Sequence, residues 1–139
     1  HVTGGTTTVL GNTLTIGGTS GKTLYRPSGG RTLITSNRIS GGDEGIHVAA
    51  ADNGIVSNNI VEGYLNAGIH IGQTSGGTAY DISVYGNRVL STAKSGSAKS
   101  LWIDTTATRT MRFGNRLRDG GVVTDSGSGT ISNALDQTS

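Results

Sequence analysis

The chain has 139 residues, with 24 Gly, no Cys, 32% hydrophobic and 4% aromatic residues, and a formal charge of +2. That length suits one domain, and the lack of cysteine excludes disulfides and Cys-based zinc sites. So thin an apolar content, with glycine so abundant, fits slender coils with many turns better than a packed helical core.

In chain order, five segments carry one phrase, a small residue, Asn, and an apolar residue two positions later. They are Gly11-Asn12-Thr13-Leu14, Ser36-Asn37-Arg38-Ile39, Ser57-Asn58-Asn59-Ile60, Gly86-Asn87-Arg88-Val89 and Gly114-Asn115-Arg116-Leu117. Repeats some 20 to 50 residues long indicate stacked structural units. A second phrase follows each of the last four after a variable gap: Gly45-Ile46-His47-Val48, Gly68-Ile69-His70-Ile71, Ser100-Leu101-Trp102-Ile103 and Gly121-Val122-Val123-Thr124. Alternation of this kind marks a strand with one buried face. Upstream of the asparagines, Leu33-Ile34, Ile55-Val56, Ile82-Ser83-Val84 and Met111-Arg112-Phe113 supply a third apolar stretch. Each period therefore reads as about three strands with Gly-rich corners, and stacking buries a core that no single repeat can bury. No segment shows a 3.6-residue apolar period, so almost no helix is expected.

Over roughly residues 5 to 125 these phrases resemble the single-stranded right-handed parallel β-helix family of pectate lyases, polygalacturonases and phage tailspikes. The resemblance implies an all-β fold of about five short coils, inward aliphatic ladders and an Asn ladder at one corner, followed by a polar tail or cap over 126–139. The Gly, Ser and Thr content, sparse aromatics and short coils are most similar to a phage tail fibre or tailspike segment. Asn12, Asn37, Asn58, Asn87 and Asn115 are expected to be structural. Identical amides ~4.8 Å apart can hydrogen-bond up a stack, and Asn tolerates the left-handed corners.

The arginines are scattered and accompanied by few aromatics, unlike a nucleic-acid surface, and Phe113 is expected in the core. No apolar run approaches the ~20 residues of a membrane helix. Neither nucleic acid nor membrane is therefore an expected partner. No charged-then-apolar leader opens the sequence, and the start at His1 points to an excised fragment or a processed product. Gly17-Gly18-Thr19-Ser20-Gly21-Lys22-Thr23 imitates a phosphate-binding loop, but Ile16 occupies the position of its first Gly and no helix follows. It reads as a corner.

Aligning the second phrase places Ile46, Ile69, Leu101 and Val122 inward and His47, His70, Trp102 and Val123 outward. Tyr25, in Thr23-Leu24-Tyr25-Arg26, extends the outward row, with Arg26 then at an inward position. Tyr25, His47, His70 and Trp102 are the candidate carbohydrate-binding residues, because an aromatic face buries apolar area while its polar edge stays wet. Two stacked histidines lack the third donor that a metal needs, so neither metal nor cofactor is expected.

The same alignment puts Asp104 and Asp125 one coil apart in one column, the best acid and base pair for a glycosidase. Asp43 and Glu44, with Glu62 on a neighbouring coil, form a second catalytic candidate. Polygalacturonases of the resembled family carry Asn-Thr-Asp and Gly-Asp-Asp on consecutive coils. Here Gly42-Asp43-Glu44 stands without a partner pair, and the calcium-binding aspartates of pectate lyases are also missing. The expected function is thus a tail fibre or tailspike module, in the virion tail or outside the cell. It is expected to be a homotrimer and to bind cell-surface glycan. Polysaccharide hydrolysis or lyase cleavage is the alternative.

Overall fold

The structure, a computed structural model, describes residues 5–17, 20–26, 29–73, 77–90, 98–118, 122–132 and 136–138. Every described element is a short β-strand. The first coil holds β1 (Thr7–Leu10), β2 (Thr13–Ile16) and β3 (Lys22–Arg26), and the second holds β4 (Thr32–Thr35), β5 (Arg38–Gly41), β6 (Glu44–Val48) and β7 (Ala51–Asp52). Next come β8 (Ile55–Ser57), β9 (Ile60–Glu62), β10 (Ala67–Ile71) and β11 (Ala79–Tyr80), then β12 (Ser83–Tyr85), β13 (Arg88–Leu90), β14 (Lys99–Ile103) and β15 (Ala107–Thr108). The last strands are β16 (Met111–Phe113), β17 (Arg116–Arg118), β18 (Val122–Asp125), β19 (Ile131–Ser132) and β20 (Gln137–Thr138).

Equivalent strands stack in parallel into four columns: β1-β4-β8-β12-β16-β19, β2-β5-β9-β13-β17-β20, β3-β6-β10-β14-β18 and the short β7-β11-β15. This is the expected parallel β-helix. The segment after residue 125, expected as a tail or cap, contributes β19 and β20 to two of the columns.

The core is the bore of the stack. Ile34, Val56 and Val84 line one wall, Ile39, Val61, Val89 and Leu117 a second, and Ile46, Ile69 and Leu101 a third, each at 1% exposure or less. Gly45 and Gly68 sit where walls meet: a Cβ on either would lie 2.3 Å from a valine methyl of the neighbouring wall. That explains the Gly before each Ile-His.

The third wall corrects the sequence alignment at its last member. A register shift between β14 and β18 pairs Leu101 with Val123, not Val122. Val122 is 41% exposed and Val123 packs against the core. Arg26 pairs with Val48 in the backbone register, but its side chain lies outside the described residues. Phe113 is not in the core. It aligns with Tyr85 on the outer side of its sheet, the two rings stacked at 5.0 Å.

The Asn ladder is present, with one member displaced. Its rungs are Asn12, Asn37, Asn59, Asn87 and Asn115. Each rung's backbone N–H and Nδ2 donate to Oδ1 of the following rung at 2.9–3.2 Å. Asn58 instead takes the left-handed corner position, φ 54°, which Gly11, Ser36, Gly86 and Gly114 fill in the other coils. The doubled Asn58-Asn59 explains the one-residue misreading. The last rung donates to Asp136, whose Oδ1 accepts from Asn115 N and Nδ2 at 2.9 Å while Oδ2 is paired with Arg112.

Candidate functional site

The outward row on the β3-β6-β10-β14 column forms as expected over four coils. Tyr25, His47, His70 and Trp102 are in direct cross-strand register, with ring centroids 5.1, 4.1 and 3.9 Å apart. The His70 and Trp102 planes are only 2° from parallel. The next member is Thr124, not Val123, because of the register shift.

The row is not an open shelf. His47 and His70 are 4% and 3% exposed, whereas Tyr25 is 39% exposed and Trp102 half-buried. Trp102 has both faces covered, one by His70 and the other by the Lys99 ammonium 3.2 Å from the ring centroid.

The carboxylates arrange differently from the sequence expectation. Asp125 pairs with Ile103, one position before Asp104, so the two aspartates do not share a column. Asp104 is buried: its Oδ2 lies 3.3 Å from His70 Nε2, and its Oδ1 accepts from the Thr105 backbone and hydroxyl. Asp125 accepts from Gly127 N and the Thr130 hydroxyl, closing a turn. Glu62 lies on another column, paired with Arg38 at 2.7 Å. Asp43 is half-buried at the corner before β6. Neither expected carboxylate set is assembled.

Glu44 joins the histidines instead. Its Oε1 accepts from His70 Nδ1 at 2.9 Å, while Oε2 lies 2.7 Å from His47 Nδ1 and 2.8 Å from Lys22 Nζ. His47 Nε2–H donates to the Gly72 carbonyl at 2.8 Å. Glu44 Oε2 and His47 Nδ1, although close, have no aligned hydrogen-bond partner. Burial pushes the Glu44 carboxyl up, but the contacts with His47, His70 and Lys22 outweigh it and hold the group far below the usual carboxylate range. Burial likewise raises Asp104, and the bonds from Thr105 and His70 bring it below its ordinary value.

Glu44, His47, His70 and Asp104, which sequence reading kept in three groups, thus form one network with Lys22, and Tyr25 and Trp102 flank its two histidines. Lys22 and Lys99 were missed, though a signal exists. Lys22/Tyr25, Glu44/His47 and Lys99/Trp102 repeat one three-residue spacing of a charged and a ring side chain on three strands of the column, with Ala67/His70 on β10 as the uncharged exception.

The family model described as right handed beta helix region matches residues 1–135. The chain belongs to the right-handed β-helix family. Parallel crossovers are right-handed in nearly all proteins, the hand that the family's description gives. No curated protein and no solved structure matches the chain. Family membership sets the β-helix as a scaffold, and its activity must be argued from the side chains it displays.

Proposed function

We propose that this β-helix is a tail fibre or tailspike type module that recognises a cell-surface glycan outside the cell. The observation that carries the reading is the unbroken cross-coil stack from Tyr25 to Lys99. It holds two aromatic groups and two ammonium groups in fixed places over a buried polar floor. The exposed part of Tyr25 and the uncovered edge of Trp102 supply apolar contact for sugar rings, and Lys22 and Lys99 supply donors for hydroxyl or carboxylate oxygens. Rigidity matters because a pre-ordered surface loses little entropy on binding.

In a glycan panel read for both binding and product release, Tyr25→Ala and Trp102→Ala are each expected to weaken binding by about 1–3 kcal/mol, the loss expected of an aromatic anchor. Absence of binding across the panel would reject the reading. Cleavage by the wild type that disappears in Asp104→Asn would replace it with hydrolysis or lyase action, because the amide cannot transfer the proton.

Self-association belongs to the same proposal. On the outer side of the β1-β4-β8-β12-β16-β19 sheet, Thr8, Leu33, Ile55, Ser83, Met111 and Ile131 are in register. Met111 is 40% and Ile131 65% exposed, and the row of Tyr85 and Phe113 runs alongside. A groove of about 200 Å³ opens between Thr8, Arg31, Leu33 and Ile55. An apolar strip parallel to the stack is buried most simply by identical copies about a shared axis. Sedimentation is expected to give a trimer, and Ile55→Arg to shift it toward the 14.1 kDa monomer. A wild-type monomer at every concentration would remove the trimer.

A further inference from the structure

We propose that Glu44, His47 and His70 form a binding site for a divalent transition-metal ion, zinc being the best chemical match. The inference is independent of glycan recognition. One carboxylate oxygen and one ring nitrogen from each histidine lie within 4.8 Å of one another, all on buried side chains, and it is Nδ1 of each ring that faces Glu44.

The outer contacts orient both rings for such a role. His47 Nε2 faces the Gly72 carbonyl and His70 Nε2 faces the Asp104 carboxylate. Both partners are acceptors, so each ring keeps its proton on Nε2 and directs Nδ1 at Glu44. Metal-ligating histidines are held in this way, the distal N–H fixed by a carbonyl or carboxylate.

Glu44 Oε2 and His47 Nδ1 are buried, 2.7 Å apart and without an aligned hydrogen-bond partner. A buried pair this close needs positive charge between its two atoms, which a proton on Nδ1 or a metal ion in that proton's place supplies. Two imidazoles and a carboxylate are a known zinc ligand set, which leaves a fourth position for water, and imidazole equally suits cobalt and nickel.

Binding requires three local movements. The His47 and His70 rings, stacked at 18° from parallel, tip toward the ion. The ion takes the place of the proton between His70 Nδ1 and Glu44, as metal binding to imidazole displaces protons. Lys22, whose side chain is 32% exposed, leaves Glu44 for solvent. Trp102 remains over His70 as an apolar lid.

The test uses the full chain with Zn²⁺ and, separately, Co²⁺ in a buffer that does not chelate. One equivalent of Zn²⁺ is expected to raise the thermal midpoint in a concentration-dependent manner, reversed by EDTA. Co²⁺ is expected to give the intense visible absorption of a four-coordinate site. Glu44→Gln combined with His47→Gln is expected to weaken Zn²⁺ binding by at least 100-fold, while His1→Ala, which removes the terminal histidine, leaves it unchanged. Because the double variant risks misfolding, nitrogen-15 spectra of the wild-type imidazoles give an independent readout. Zn²⁺ on Nδ1 of His47 and His70, with the protons retained on Nε2, supports the site. No binding, binding that survives the double variant in folded protein, or perturbation of His1 alone overturns it.

Discussion

Ile69→Asp is expected to abolish cooperative unfolding. Ile69 is 1% exposed and lies between Ile46 and Leu101 in one wall of the bore. A carboxylate there has no cation within the aliphatic wall, and an unpaired buried charge destabilises by several kcal/mol. That is comparable with the roughly 5–15 kcal/mol that holds an ordinary domain together. Each coil is stabilised by its neighbours, so a break at the central strand β10 separates the stack into two parts too short to bury their own faces. Ile69→Val, which keeps the wall apolar, should cost only about 0.5–1.5 kcal/mol. Thermal melts of both variants by circular dichroism decide the matter. A cooperative Ile69→Asp transition at the wild-type midpoint would show that this wall is misplaced.

The second large effect concerns two adjacent asparagines with opposite expected outcomes. Asn59→Ala removes the Oδ1 that accepts from Asn37 N and Nδ2, and also the donor to Asn87 Oδ1 and the Ile34 carbonyl. Leaving buried polar groups unmade costs about 1–3 kcal/mol each, so the loss should reach roughly 3 kcal/mol or more. Asn58→Gly removes no rung and supplies the residue that adopts φ near 54° without strain. It should change stability by less than about 1 kcal/mol in either direction. Denaturant midpoints of the two variants give the comparison, and equal destabilisation would reject Asn59 as the rung.

Most of the fold was legible because a stacked coil writes the same local requirements again at each turn. The apolar alternation of Ile46 to Val48 recurs at Ile69 to Ile71 and at Leu101 to Ile103, and all three landed in register. Where the sequence offered two adjacent residues of similar character, the reading slipped by one: Asn58 for Asn59, and Val122 for Val123. Slips of this size matter, since a one-residue shift moves every side chain to the opposite face. The proposed Asp104 and Asp125 column failed for that reason.

The arrangement around Glu44 was hidden by a different limit. Period-two alternation assigns His47 and His70 to the outer side of their strands, but it does not say whether that side meets solvent. Their burial depends on contacts made across coils: Glu44 to His70, His47 to Gly72 and His70 to Asp104 join residues 25 to 34 positions apart. Loop gaps of variable length decide which of these meet, and strand periodicity carries no information about them.

The amide column has a polarity of its own. Every bond between rung side chains runs the same way, Nδ2 of one rung to Oδ1 of the next, from Asn12 toward Asp136. Aligned amide dipoles reinforce one another, as they do along a helix, so the positive end of the column emerges at Asn115. Asp136 sits there with a full negative charge and two acceptor contacts, much as an acidic residue sits at a helix N-terminus. A carboxylate lacks the N–H needed to hand the bond onward. The amide column therefore carries a direction along its length, and Asp136 receives its last bond.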